Sequence, residues 1–287
     1  MNHQAEQLIR WLLAGSGAIR NVAQLLADSF GSAAVAAVTV GPTVITAHPF
    51  DPAVSPDGDY WTAGRDGWTH PLQSRLLPPG TSARHHVVAG ITSRNELLVI
   101  DVLAADYLGI DGGSGLPLLR SWLLQLLANT PEAHVGATDA GLGIAGLPRL
   151  TVVSDAAGLP GETTVLLTSE QTSGPSGEYA TVSTRADFAD NVLLCDGPVS
   201  GVHLAGRYWP LWRRLEIDDQ QWRDVASTLM SPAHTPPAHY EPTPEPEAMP
   251  PVPAPPVAAH PVEQRSGAAE NRPTMAPRDA PILPIGG

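Results

Sequence analysis

Apolar positions change their spacing along this chain. Leu8, Leu12, Ile19, Val22 and Leu26 recur at helical intervals, which predicts an amphipathic helix over 3–29, continuous or divided at "AGSG", whose stripe must pack on something. After it the rhythm shortens. "AAVAAVTV" and "TVITA", parted by Gly41 and Pro42, predict a strand, a turn and a returning strand. "DYWTAGRDGWTH" sets Trp61 and Trp68 on either side of Asp66 and Gly67, a hairpin signal. "HHVVAGI" and "LLVIDV" predict a further strand pair across "TSRNE".

A turn of helix over 104–108 is expected next, then a glycine turn, then a helix over 116–128 carrying Leu119, Trp122, Leu123, Leu126 and Leu127. Beyond it "HVGAT", "LTVVS", "TTVLLTS", "YATVST" and "NVLLCD" are short apolar runs bounded by Gly, Pro, Asp and Ser, each suited to a strand. "DDQQWRDVASTLM" predicts a closing helix capped by Asp218 or Asp219, with acids at its positive end. Strand, helix and strand in the middle region imply a βαβ unit and some parallel sheet. The expected fold class is α/β: an amino-terminal helix, a β-rich half with hairpins, then a mixed sheet containing βαβ. One globular domain is expected over 1–231. From Pro232 to Gly287 there are 16 Pro in 56 residues, which predicts a disordered, partly polyproline II tail serving as a spacer or docking in an aromatic groove.

Composition removes whole classes of chemistry. All 16 basic residues are Arg and Lys is absent, so no Walker A lysine and no lysine Schiff base can form. A formal charge of -13 and the lack of a basic stripe argue against direct nucleic-acid binding. The single cysteine, Cys195, cannot make an internal disulfide and reads as a buried strand residue, in keeping with a reducing cytoplasm. Met1 to Glu6 has no cationic start, and no apolar run reaches the roughly 20 residues of a spanning helix. The protein is therefore expected to be cytoplasmic and not membrane-spanning.

Two stretches remain as candidate sites. "LLVID" followed by "YLGIDGGSG" ends an apolar strand in Asp101 and places Gly112, Gly113 and Ser114 before a helix. A ligand- or nucleotide-binding turn, hydrolytic with Ser114 as nucleophile, is one reading. The other is structural, with Asp101 capping the next element and Ser114 capping the 116–128 helix. The glycines do not match G-x-G-x-x-G, and "DGGSGLP" is not G-x-S-x-G. Adjacent His85 and His86 point to opposite sides of a strand and do not share an ion, so neither a metal nor a cofactor is expected. "GRYWPLWRRLEIDD" gathers Arg207, Trp209, Trp212, Arg213 and Arg214. It reads as a loop, either capping the core with its tryptophans or forming a partner surface, since exposed Trp and Arg dominate binding hot spots.

In order, the amino-terminal helix, "VAAVTVGPTVITA", "PFDPAVSPDGDYWT", "HHVVAGITSRNELLVIDVLAADYLGIDG", "LCDGPVSGVHL" and "LEIDDQQWRDVASTLM" before a Pro-rich linker resemble a known arrangement. It is the cytoplasmic central α/β region of actinobacterial membrane proteins that combine LysM and bacterial transcriptional activator domains. Over 5–231 the resemblance implies a sensor-like or scaffold-like module between an envelope input and a cytoplasmic output, and it carries over no catalytic residue. The transmembrane, LysM and activator segments have no counterpart in this sequence, so membrane anchoring, peptidoglycan binding and DNA binding are not carried over. The expected function is thus a non-enzymatic regulatory or scaffold protein acting through a protein partner, with envelope or secretion components among the candidates. The alternatives are the ligand-binding turn at 101–115 and an accessory factor of a secretion or conjugation system.

Overall fold

The computed structural model describes residues 19–72, 84–113, 115–144, 146–172, 176–186, 189–195 and 200–229. The first part of the predicted amino-terminal helix, Ser114 and the Pro-rich tail lie outside the described residues. An α/β fold results, built on one mixed sheet of 14 strands.

The chain begins with α1 (19–30), then β1 (Val35–Val40) and β2 (Val44–Pro49), an antiparallel pair turning at Gly41 as expected. The predicted tryptophan hairpin forms as β3 (Thr62–Ala63) and β4 (Trp68–Pro71). β5 (His86–Thr92) and β6 (Leu97–Asp101) form the next pair. α2 (Val102–Ala105) starts two residues before the predicted turn of helix, whose last two residues, Tyr107 and Leu108, instead open β7 (Tyr107–Asp111). "YLGID" is an apolar run short enough for either state, and pairing on both sides, with the strands Ala180–Ala186 and Val192–Leu194, settles it as strand.

After α3 (Leu116–Asn129) come β8 (Val135–Ala137), β9 (Leu150–Val152), β10 (Val165–Thr172), β11 (Ala180–Ala186) and β12 (Val192–Leu194). They coincide with the five predicted apolar runs. Two further strands were not predicted: β13 (Gly201–Leu204) and β14 (Arg207–Arg214). α4 (Asp219–Leu229) closes the domain.

In space the strands run β3-β4-β2-β1-β6-β5-β14-β13-β12-β7-β11-β10-β8-β9. Every neighbour from β3 to β12 is antiparallel, and every neighbour from β12 to β9 is parallel. β14 is the seam. Its first four residues pair with β13, and Leu211, Arg213 and Arg214 pair with β5 across a bulge. Gly90 makes that junction possible, since a Cβ there would stand 2.3 Å from the Arg213 carbonyl oxygen.

The pleat of the antiparallel half feeds two cores. On β6, Leu98 and Ile100 join the large cluster with Trp122, Leu119 and Leu123 of α3, while Val99 joins Leu26 and Phe30 of α1 on the other face. The stripe of α1 therefore finds its partner, and Trp61 closes over it, edge-on to Phe30 at 5.3 Å with its indole donating to Ser29 Oγ at 2.9 Å. α3 reaches the sheet through Gln125, whose amide bonds both Val88 N and Val88 O beside the β5 bulge. Its carboxyl end lacks a glycine cap. Arg149 serves instead, donating to the carbonyl oxygens of Leu127, Thr130, Pro131 and Ala133 at 2.5–3.1 Å.

Candidate functional site

The 101–115 turn has its polar groups already committed. Asp101 is 3% exposed and its Oδ1 accepts from Leu103 N at 3.1 Å, Ala104 N at 3.4 Å and His85 N at 3.3 Å. Its Oδ2 faces the Arg84 guanidinium at 3.6 Å. That is the geometry of a helix N-cap joining β5 to β6. Gly112 and Gly113 adopt positive φ of 89° and 62° and lead toward α3, whose N-cap is Gly115; Ser114 lies outside the described residues. Asp101, Gly112 and Gly113 thus shape a turn.

β14 overturns the expected loop at 207–214. Paired on both edges, it alternates, so its aromatic and cationic residues are dealt to different surroundings. Trp209 is 9% exposed and belongs to the large core, whereas Trp212 is 64% exposed. Arg207 donates to the Pro49 carbonyl at 3.0 Å, pinning the start of β14 over the end of β2. Arg214 is bound to the Cys195 carbonyl, to Ser200 Oγ at 3.1 Å and to Glu216 Oε1 at 2.6 Å. Arg213 is exposed, and no bond or ion pair of its guanidinium is seen among the described residues.

Trp212, Arg213 and Arg214 come together in a shallow groove of about 620 Å³, completed by Glu216, Asp218 and Gln221 at the start of α4. Its floor includes Cys195, half-buried just past β12. The α4 wall is rigid: Asp218 Oδ1 accepts from Gln220 N and Gln221 N, and Gln221 Oε1 accepts from Asp218 N in return, a capping box. Asp218 is therefore the cap, of the two residues the sequence allows. Asp219 holds Arg120 of α3 at 2.5 Å, and that hydrogen bond and charge depress its carboxyl pKa.

A second groove, of about 690 Å³, opens on the antiparallel half and has no counterpart in the predicted sites. Its floor is a threonine row. Thr39 stands opposite Thr46, and Thr46 opposite Thr69, on the face turned away from α1. Along the same face of β2 lies His48, 5% exposed, with Trp209 edge-on at 5.2 Å. Its Nδ1 lies 2.7 Å from the Asp66 carbonyl oxygen; a carbonyl only accepts, so Nδ1 carries the proton and Nε2 presents a lone pair. That Nε2 is buried and has no partner among the described residues. Burial lowers the His48 pKa, nearby Arg207 adds to the lowering, and the Asp66 carbonyl opposes it.

Cross-strand registry is what sequence spacing hides here, because Thr39, Thr46 and Thr69 become neighbours only once β1, β2 and β4 pair. Among the described residues no cluster of His, Cys, Asp or Glu could hold a metal ion, and no helix is long and apolar enough to cross a membrane. No protein-family profile matches the chain, and no curated protein matches its sequence.

Proposed function

We propose that this chain is a non-enzymatic interaction module of regulatory or scaffold type, which binds a protein partner through the Trp212 groove. The carrying observation is Trp212, a large aromatic 64% exposed on a strand whose neighbouring tryptophan is buried. An exposed indole beside a free-standing guanidinium, Arg213, is the chemistry that anchors interface hot spots. The backbone beneath them is held by β5 and by Arg214, so binding there costs little ordering. Asp101, the alternative catalytic or ligand-binding centre, is already spent on backbone amides and Arg84. A cytoplasmic place between envelope or secretion components and a cytoplasmic output is the setting the family resemblance implies. It is part of the proposal.

A photo-crosslinker placed at position 213 of the full chain identifies the partner, which is then purified for titration. Trp212→Ala is expected to weaken binding by about 30-fold or more, the scale of a hot-spot residue, with the melting temperature unchanged. Equal affinity of the wild type and the variant would remove the groove from the function.

A further inference from the structure

We infer that the groove over the threonine row is a second, separate binding site, for a small organic anion that also carries hydroxyl groups, the chemistry of sugar phosphates and sugar acids. Its volume of about 690 Å³ falls within the range of small-molecule sites. Three arginines converge on it from different elements: Arg65 from the β3–β4 turn, Arg94 from the β5–β6 turn and Arg207 from β14. Three guanidinium groups around one opening, in a chain of formal charge -13, are a local reversal of the overall field. Arg65 and Arg94 form no ion pair among the described residues, so both are available to an anion.

The remainder of the lining selects for hydroxyls. Thr39, Thr46 and Thr69 offer a line of groups that both donate and accept, and Asp66 and Glu96 beside the arginines accept only. His48 is the most telling member. It is buried and neutral with its proton held on Nδ1 by the Asp66 carbonyl, and its unpartnered Nε2 requires a donor. A fully deprotonated anion such as sulfate has none to give, whereas a hydroxyl does. Trp209, on the same side of β14 as Arg207 and edge-on to His48 at 5.2 Å, supplies the aromatic wall against which a sugar ring packs.

The fold keeps the His48 end of the groove tight. A Cβ at Gly67 would stand 2.3 Å from the Ala47 carbonyl oxygen and 3.0 Å from His48 Nδ1, so only glycine lets the β3–β4 turn close on the imidazole. This site shares no lining residue with the Trp212 groove. Its success or failure is therefore separable from partner binding.

Isothermal titration calorimetry on the full chain tests it with four probes: glucose 6-phosphate, gluconate, glucose and sulfate. Saturable binding is expected for glucose 6-phosphate, for gluconate or for both, the pair distinguishing a phosphate site from a carboxylate site. Glucose and sulfate should each bind at least about tenfold more weakly, since glucose lacks the charge and sulfate the hydroxyl donor. Arg65→Gln with Arg94→Gln changes exposed side chains only, and should weaken the anion about tenfold or more at unchanged melting temperature. Thr46→Val, which removes a hydroxyl at constant shape, should weaken it several-fold. Trp212→Ala should leave it untouched. No binding of either hydroxylated anion overturns the inference. So does sulfate binding as tightly as glucose 6-phosphate, or an affinity indifferent to the loss of both arginines.

Discussion

The parallel half of the sheet and the seam strand β14 bury their residues by different rules. In the parallel half, successive residues are covered: Val165, Leu166, Leu167 and Thr168 of β10 are all buried, as are Ala180 to Ser183 of β11. α3 lies on one face, and on the other the segment around Leu159 and Thr163 closes over Gly136. In the antiparallel half β14 alternates, with Trp209 and Leu211 buried and Tyr208, Pro210 and Trp212 exposed. Both candidate grooves take a wall from this strand. Crossover connections cover both faces of a parallel sheet, and α1 and α3 do the same for β5 and β6, but β14 and the outer strands β3 and β4 keep a face to spare. Binding capacity collects where covering segments are missing.

The largest expected effect tests the division of labour along β14. Trp209→Ala empties core volume beneath the seam and should cost about 3–5 kcal/mol of unfolding free energy, read by chemical denaturation. Trp212→Ala, three residues on, should fall within about 0.5 kcal/mol. Comparable losses at both positions would mean that β14 does not alternate as described.

Next comes a pH effect from the β5 edge of the antiparallel half. His86 is buried with neither ring nitrogen bonded among the described residues, and desolvation holds its pKa down to about 4 from an ordinary 6.5, with Asp101 opposing and Arg84 and His85 assisting. A histidine whose folded pKa is depressed favours the unfolded state as that state takes up its proton. Stability is therefore complete above about pH 6.5 and declines as pH falls toward 4, by about 3 kcal/mol in all. Denaturation curves across that window measure it, and His86→Phe should flatten the decline. A decline unchanged in that variant would assign it to other groups.

Smaller still is the cap of α3 in the parallel half. Arg149→Ala leaves the carbonyls of Leu127, Thr130, Pro131 and Ala133 without their shared donor. It should cost about 2 kcal/mol, with amide exchange accelerated at the carboxyl end of α3. Asp101→Ala removes the cap of a single short turn and should cost about 1–2 kcal/mol. A ligand-dependent phenotype for Asp101→Asn, at unchanged stability, would instead reopen the 101–115 turn as a site.

The sequence by itself determined the class of fold and most of its elements. α3, α4 and the strands β1, β2, β5, β6 and β8–β12 were legible because each is an apolar run or a periodic stripe bounded by turn residues, which are local properties. Asp101 and Asp218 were legible as caps for the same reason. β7 was not, since a five-residue apolar run has no state of its own until neighbours pair with it on both edges. β14 was hidden by its own alternation, as its outward arginines and tryptophans imitate a loop. Tertiary structure alone decided that Trp209 and Trp212 part company, that Arg149 caps a helix which ends 20 residues before it in sequence, and that Thr39, Thr46 and Thr69 stand in one row. Registry and burial are relations between distant segments, and the free energy that sets them comes from packing across the sheet, not from any stretch of chain alone.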